Sequence, residues 1–267
     1  PDKYLDVGIA EQNMLGVAAG LASEGYNVIT TTFAPFQTAR CCEQIKVNAG
    51  YMKQKLCMVG IASGLALGNL GFTHCCIEDI GILRSIPNIQ IVSPADSFET
   101  IKALSAAINS EKSTYIRLTG TTNNPIVYSK DYDFKIGKSI KLRSGEDVTL
   151  FCCGAMVSTC LEVANKLEKL KISCAVINMH TIKPIDEAAI KDASENSKLI
   201  VSVEEHNVIG GLGSSISEQL VKFKNRSKMV IMGIDDKYLK GGSYNYLKNK
   251  YELSLDKIIE KIKINIG

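Results

Sequence analysis

Gly8-Ile9-Ala10-Glu11-Gln12-Asn13-Met14 is followed, after one predicted helix and one predicted strand, by Thr32-Phe33-Ala34-Pro35-Phe36. The first segment places a single carboxylate, that of Glu11, among small and apolar residues. The second places two aromatic rings in a turn that contains proline. A carboxylate can meet a ring nitrogen, and phenylalanine rings can stack on the face of a flat ligand. The two segments therefore predict half of a site for a flat heteroaromatic ligand.

Helices and short apolar strands alternate through the first half of the chain. Small and apolar residues at helical spacing predict the helices, and runs of β-branched residues predict the strands. The predicted helices span residues 12–23, 38–50, 78–85 and 97–109, and the predicted strands span residues 27–32, 56–61, 89–92 and 114–118. This alternation is typical of a mostly parallel sheet covered by helices.

A second α/β unit follows a more polar segment, residues 129–146, which predicts an interdomain connection with one short strand. The second unit has predicted strands at 148–153, 173–178, 199–204 and 228–233, and predicted helices at 158–170, 186–196, 214–223 and 255–264. We predict an α/β protein of two domains, residues 1–128 and 147–267, each a mostly parallel sheet flanked by helices. Because the chain begins at Pro1 rather than at Met, we expect the start of the first domain to be missing.

The composition limits the classes of partner. The 267 residues are 45% hydrophobic and carry a formal net charge of +3, with charges of both signs interspersed. This pattern predicts a sizeable core and argues against a nucleic-acid surface or a polybasic membrane patch. No apolar run approaches the roughly 20 residues that would span a bilayer.

Six of the nine cysteines form three adjacent pairs, Cys41-Cys42, Cys75-Cys76 and Cys152-Cys153. Neighbouring Cα atoms lie about 3.8 Å apart, which is less than the roughly 4.4 Å that a disulfide needs. No two cysteines have the spacing of a zinc or redox motif. We therefore expect small buried thiols in a reducing, cytoplasmic compartment.

Further blocks stand in the order found in one enzyme family. Together with residues 8–14 and 32–40, the first half contains Gly71-Phe72-Thr73-His74, Ile77-Glu78-Asp79, and Ile86-Pro87-Asn88-Ile89-Gln90 leading to Pro94-Ala95-Asp96. This half resembles the pyrimidine-binding domain of transketolase. The second half resembles the C-terminal domain of that family through Lys183-Pro184-Ile185-Asp186, Val203-Glu204-Glu205-His206 and Gly210-Gly211-Leu212-Gly213-Ser214.

The resemblance implies a thiamine diphosphate enzyme that moves a two-carbon ketol unit from a ketose or its phosphate to an aldehyde acceptor. Transketolases also have an N-terminal domain that binds the diphosphate through a metal held by a Gly-Asp-Gly…Asn motif, which this sequence lacks. We therefore expect the C-terminal subunit of a split transketolase, or a fragment of a transketolase. Its N-terminal partner subunit would hold Mg²⁺ or Ca²⁺, and this chain would hold no metal. Two copies of this chain would form a dimer, and with two partner subunits the enzyme would be a heterotetramer.

By this resemblance, Glu11 binds the ring nitrogen of the cofactor's aminopyrimidine and favours the tautomer that removes the reactive proton. Phe33 and Phe36 wall in the same ring. Read without the family, Glu11 is a charge favoured at a helix start, and the two phenylalanines are core residues.

The resemblance also implies roles for three cationic or titratable residues. Arg40 bounds the cofactor pocket or orients its loop, and an interface ion pair is the alternative. His74 lies near the cofactor amine and the substrate carbonyl. Arg117 binds the phosphate end of the sugar, with a surface arginine after a strand as the alternative.

Two substitutions depart from the family pattern. Ala62 stands where transketolases place a histidine after a strand, and Leu70 stands where they place an aspartate before the glycine of the histidine block. In the same block, Phe72 replaces a proline. The residues for the cofactor are kept and those for the donor sugar are altered. We therefore expect a substrate other than the standard pentose phosphate pair, or one whose end is bound differently.

Alternative functions stay open at this point. The chain could be the β subunit of a 2-oxo acid dehydrogenase, or a protein similar to deoxyxylulose phosphate synthase. It could also be a non-catalytic assembly subunit that has kept the fold. Residues 210–213 resemble a phosphate loop, but the acidic Glu204 and Glu205 just before them favour a tight structural turn.

Overall fold

The alternating strands and helices form two five-stranded sheets in the computed structural model, which describes residues 3–224 and 226–266. The first half contains, in chain order, α1 (Glu11–Ser23), β1 (Val28–Phe33), α2 (Ala34–Gln37), α3 (Cys42–Gln44), a π-helix (Ile45–Tyr51), β2 (Leu56–Ser63), a 3₁₀ turn (Gly68–Leu70), α4 (Asp79–Arg84), β3 (Ile89–Val92), α5 (Ser97–Asn109) and β4 (Ser113–Thr119).

The second half begins with a short strand in the polar connecting segment. It contains β5 (Ile140–Arg143), β6 (Val148–Cys152), α6 (Met156–Lys169), β7 (Cys174–Asn178), β8 (Thr181–Lys183), α7 (Glu187–Asn196), β9 (Leu199–Asn207), α8 (Leu212–Leu220), β10 (Lys228–Ile234), α9 (Tyr244–Lys250) and α10 (Leu255–Asn265).

Both sheets are parallel except at one edge. The first has the strand order β1-β2-β4-β3-β8, and the second has the order β10-β9-β6-β7-β5. Among the strand pairs of the described residues, β3–β8 and β5–β7 are antiparallel and the others are parallel. The predicted fold class, two mostly parallel sheets flanked by helices, is confirmed.

The predicted helix over residues 38–50 is wrong in its first four residues, which form a turn; the helical part begins at Cys42 as α3 and continues as the π-helix. A separate short helix, α2, begins at Ala34 with Pro35 in its first turn, where the fixed backbone of proline fits. The Thr38 hydroxyl then donates to the Ala34 carbonyl at 2.7 Å, a contact that competes with regular helix geometry. The helix stops, and the chain passes through a turn at Arg40 before α3 and the π-helix. This turn leaves Arg40 beside the start of α1.

The two halves share a sheet and their apolar cores. Strand β8 lies in the second half but extends the first sheet, where Thr181 pairs with Val92. One core cluster joins Leu65 and Ile77 of the first half to residues of the second sheet. The other joins Leu15 and further first-half residues to residues of the second half. The relative position of the two halves is therefore set by packing as well as by the connecting segment.

A buried ion pair lies where the halves meet. The Arg117 Nε donates to both carboxylate oxygens of Asp79, at 3.0 and 2.9 Å. Asp79 also accepts from Tyr115 at 2.8 Å and from Ser63 at 2.7 Å. Burial raises the pKa of the Asp79 carboxyl, but the charge and hydrogen bonds of Arg117 outweigh it and hold the pKa below its ordinary value. The pair is therefore ionised and hydrogen-bonded throughout the neutral range.

The same guanidinium ties the halves together. Arg117 Nη2 donates to the carbonyl of Cys76 at 3.2 Å and to the carbonyl of Glu205 in β9 at 2.8 Å. His206 lies next to it, and burial lowers the His206 pKa to about 4. The neutral ring accepts from the Gly81 amide at 3.2 Å and donates to the Asn207 carbonyl at 2.7 Å. His206 therefore has a structural role at this junction.

We predict that Arg117→Met lowers the free energy of unfolding by about 3–5 kcal/mol, because it leaves the Asp79 carboxylate buried without a positively charged partner. Lys141→Met is the matched control, since Lys141 and Asp192 form an ion pair in which both side chains are 50% exposed. It is expected to cost less than about 1 kcal/mol. Urea denaturation followed by circular dichroism measures both; equal, small losses would contradict the prediction.

Candidate functional site

Glu11 is the first residue of α1, where the positive end of the helix favours a negative charge. Its side chain is covered by neighbours and only 9% exposed, and Arg40 Nη1 donates to its Oε2 at 2.8 Å. The Gln12 side-chain amide donates to the Arg40 carbonyl at 3.1 Å. The start of α1 thus holds both the backbone and the guanidinium of Arg40.

The protonation state of Glu11 is set by two opposing effects. Burial raises the pKa of its carboxyl. The hydrogen bond from Arg40, a hydrogen bond from the Glu11 backbone amide and the positive charge of Arg40 together lower that pKa by more, so the net value lies below the ordinary one. Glu11 is therefore a carboxylate at neutral pH in this structure.

Three rings lie together beside this ion pair. Phe33 ends β1, Phe36 lies in α2, and His74 lies in the loop after the 3₁₀ turn. The ring centroid of His74 is 5.3 Å from that of Phe36 and 6.2 Å from that of Phe33, and both contacts are edge-to-face. The Arg40 guanidinium lies over Phe36, 4.0 Å from its centroid. We call Phe33, Phe36 and His74 the ring cluster.

The structure therefore brings five of the six predicted site residues together. Glu11 meets Arg40, Arg40 covers Phe36, and Phe36 contacts Phe33 and His74. The His74 Nδ1 is 3.0 Å from the Thr73 hydroxyl, which fixes the ring orientation. The carboxylate can accept a hydrogen bond from a flat nitrogen heterocycle. The aromatic rings beside it can stack against the face of that heterocycle.

Arg117 is not part of this group. We expected it to bind the phosphate end of a sugar, but its side chain is 1% exposed and paired with Asp79 in the interior. The strand β4 that carries Arg117 is buried at this point, so the guanidinium faces Asp79 rather than solvent. The alternative of a surface arginine is wrong for the same reason.

Phe36 of the ring cluster and the neighbouring Arg40 line a cleft of about 610 Å³. Phe36, Arg40 and Thr73 line one side, and residues 236–239 of the second half line the other. Phe72 and Tyr238 face each other across its rim with ring centroids 5.2 Å apart. The cleft is in the size range of sites for small ligands.

Sequence reasoning missed the contribution of residues 236–239. The available signal was polar residues directly after β10, because the carboxyl ends of parallel strands are where open α/β sheets bind ligands. Nothing in the sequence indicates that this segment reaches Phe72, since that contact depends on how the two halves pack.

The two departures from the family pattern lie near the same edge. Ala62 is near the carboxyl end of β2 with a backbone φ of 54°, in the left-handed region. Leu70 ends the 3₁₀ turn and is 57% exposed. The resemblance led us to expect polar side chains at both positions; Ala62 is half-buried and Leu70 is exposed.

The backbone amides of the glycine-rich turn at residues 210–213 bind an acidic side chain of the protein itself, that of Glu204. The Glu204 carboxylate accepts from the amides of Leu212 and Gly213, at 2.6 and 2.7 Å. Burial raises the pKa of Glu204 to about 7. Because this carboxylate occupies the start of α8, a phosphate has no place there, which agrees with a structural turn.

Metal-binding clusters and membrane-spanning helices are both absent from the described residues. Across residues 3–224 and 226–266, no group of three or more His, Cys, Asp or Glu side chains is arranged to hold a metal ion. In that same part of the chain, no helix has the length and apolar character needed to cross a bilayer. All nine cysteines are free thiols, and eight of them are buried, as expected from their sequence pattern.

Two family profiles match the chain. The profile described as the transketolase pyrimidine binding domain matches residues 1–123, and the one described as the transketolase C-terminal domain matches residues 137–258. A solved structure of a split gene transketolase, described as an inactive β4 tetramer, superimposes with a TM-score of 0.90. It is 33% identical, and the match covers 100% of this chain and 84% of that one.

Curated relatives include separate subunits and longer enzymes. One of the subunits of the apulose-4-phosphate transketolase of Actinobacillus succinogenes is 35% identical, over 97% of this chain and 84% of its own length. The 6-deoxy-6-sulfo-D-fructose transketolase subunit of a Clostridium species is 35% identical, over 97% and 80%. The 1-deoxy-D-xylulose-5-phosphate synthase of Caldanaerobacter subterraneus is 33% identical, over 98% of this chain but 42% of its own length. The chain therefore belongs to the transketolase family, in which it corresponds to the C-terminal subunit of a split enzyme.

Proposed function

We propose that this chain is a subunit of a thiamine diphosphate-dependent transketolase-type enzyme that transfers a two-carbon ketol unit from a ketose to an aldehyde. The observation that carries the proposal is the Glu11 carboxylate at the start of α1, linked through Arg40 to the ring cluster. When bound, thiamine diphosphate supplies the carbanion chemistry that cleaves and forms the carbon–carbon bond.

The residues present fit the aminopyrimidine part of this cofactor. Glu11 would hydrogen-bond a ring nitrogen, and Phe33 and Phe36 would bind the faces of the ring and exclude water. His74, held by Thr73 beside Phe36, would hold a proton near the substrate carbonyl. Arg40 would keep the Glu11 carboxylate ionised until a ring nitrogen replaces it as the hydrogen-bond partner.

We also propose an N-terminal partner subunit that binds the diphosphate through Mg²⁺ or Ca²⁺. Support comes from the similarity to relatives named as separate transketolase subunits. Exposed apolar side chains on the first half, among them Ile9, Tyr51 and Met52, would be covered by a second copy of this chain or by the partner. The complete enzyme would then be a heterotetramer.

Calorimetric titration of thiamine diphosphate and Mg²⁺ tests this proposal. The cofactor is expected to bind tightly to the assembled subunits and weakly to this chain alone. Tight binding to this chain alone would contradict the division of the site between two subunits. Failure of the assembled subunits to bind would contradict the cofactor assignment.

Comparing donor substrates distinguishes the proposed transketolase reaction from the main alternative. The similarity to 1-deoxy-D-xylulose-5-phosphate synthase favours pyruvate as a second candidate donor. Turnover of ketoses without turnover of pyruvate supports the transketolase reaction, and the reverse supports the synthase-like or dehydrogenase-like reaction. If the assembled enzyme binds thiamine diphosphate but consumes neither donor, a non-catalytic assembly role is supported.

We predict that Glu11→Ala lowers kcat of the assembled enzyme by at least about 100-fold, because proton transfer by a positioned group contributes roughly 10²–10⁴-fold. The fold is expected to persist, since Arg40 is 43% exposed and regains water when its partner is lost. The matched control is Glu24→Ala at the exposed end of the same helix, expected to leave kcat unchanged. A Glu11→Ala enzyme with near-normal kcat and a normal circular dichroism spectrum would contradict the proposal.

We predict that Arg40→Met raises the pKa of Glu11. The arginine lowers that pKa in the native protein, and burial alone acts in the opposite direction. The stabilisation from the ion pair is present above the unfolded-state pKa of Glu11 and is lost as the pH falls through the lower folded-state pKa. The variant should therefore lose less stability than the wild type on acidification.

Carboxyl-selective NMR titration of the chain measures this shift directly. Lys141→Met removes a cation from a distant ion pair and should leave the Glu11 titration in place. An unchanged Glu11 pKa in Arg40→Met would show that the arginine does not control this carboxyl.

A further inference from the structure

The rim of the cleft is aromatic and built from both halves of the chain. Phe72 follows the 3₁₀ turn, and Tyr238 follows β10; their ring centroids are 5.2 Å apart. Phe72 is 55% and Tyr238 is 83% exposed, so both rings present apolar surface to the solvent side of the cleft. We call this pair the aromatic lip. Apolar residues also form the floor, where Ile77 and Leu239 are buried.

Each cation that lines the cleft already has a carboxylate partner. Arg40 Nη1 is 2.8 Å from Glu11 Oε2, and Lys237 Nζ is 2.8 Å from Asp235 Oδ2. Arg117, the residue expected to bind a phosphate, is paired with Asp79 in the interior. A phosphate entering this cleft would have to compete with a carboxylate for every cation that this chain offers there.

The remaining charges in the lining are negative. Glu78 and Asp236 both face the cleft, and within the part of the chain that is described neither forms an ion pair. Glu78 and Asp236 are both exposed, and like charges repel, so these carboxylates disfavour a phosphate with its two negative charges. The lining therefore combines apolar contact with repulsion of anions.

We propose that the cleft binds the uncharged end of an unphosphorylated sugar aldehyde, the acceptor, with the C–H face of the sugar against Phe72 and Tyr238. This inference rests on the proposed function, because it assigns the substrate end of that same site. The volume of about 610 Å³ accommodates a monosaccharide. Phe72 and Tyr238 are then specificity-determining residues, and Glu78 and Asp236 act against phosphorylated competitors.

The test uses the enzyme assembled from this chain and its partner subunit with thiamine diphosphate and Mg²⁺. Hydroxypyruvate is the donor, and D-erythrose and D-erythrose 4-phosphate are a matched pair of acceptors. We expect kcat/KM to be at least about tenfold higher for D-erythrose, a difference of about 1.4 kcal/mol in transition-state binding. A tenfold preference for the phosphate, or equal values, would overturn the inference.

Variants locate the effect at the lip. Phe72→Ser and Tyr238→Ser should each raise KM for D-erythrose several-fold with little change in kcat, because each removes uniform binding. Asp236→Lys should lower KM for D-erythrose 4-phosphate. Tyr246→Ser, at an exposed tyrosine outside the cleft lining, is the control and should change neither KM. Unchanged KM for D-erythrose in both lip variants would also overturn the inference.

Failure of the underlying function gives a different result. If the assembled wild-type enzyme transfers no ketol unit to either acceptor and consumes no hydroxypyruvate, the proposed function fails and the inference fails with it. If hydroxypyruvate is consumed and the phosphate is preferred, the proposed function stands and only the inference fails. Circular dichroism and thermal melting of each variant confirm that the comparison is made on folded protein.

Discussion

The buried pair of Asp79 and Arg117 is the interaction on which the site depends. Asp79 begins α4, directly after the loop that carries Phe72 and His74, and Arg117 donates to the Cys76 carbonyl within that loop. The same guanidinium donates to the Glu205 carbonyl of the second half. One buried cation therefore fixes the loop that carries His74 and the position of β9, the neighbour of the strand β10 that precedes residues 236–239. A buried pair of this kind contributes little net stability but strongly disfavours arrangements that separate its partners.

Most of the fold and part of the site could be predicted from the sequence. The alternation of helices and strands predicts the two mostly parallel sheets, and Glu11, Phe33 and Phe36 lie at a helix start, a strand end and a proline turn. His74 lies in an irregular loop, and only the resemblance of residues 71–74 to the family indicates it. Contacts between distant segments could not be predicted in this way. Arg117 is an example, because its sequence position resembles a surface arginine and only the packing of β4 against α4 makes it an interior residue.

The other differences have similar physical causes. Strand β8 pairs with β3 of the other half. It is only three residues long, which is too short for the sequence pattern to predict a strand. The break after α2 depends on a side-chain to backbone hydrogen bond from Thr38, which competes with a helix that the apolar spacing alone favours. That break matters for function, since a continuous helix would not present Arg40 to Glu11 through the same turn.

The two sides of the site are constrained differently. Glu11 and the ring cluster stand on α1, β1, α2 and a loop anchored by Arg117, so their positions are tied to the fold. Phe72 and Tyr238 stand on exposed loops and contribute to none of the apolar cores formed by residues 3–224 and 226–266. Substitutions at the aromatic lip therefore cost little packing energy, whereas substitutions beneath the ring cluster disturb the core. The lip can therefore change without disturbing the residues that we propose for the cofactor, and the exposed Leu70 lies on the same loop segment as Phe72 of the lip.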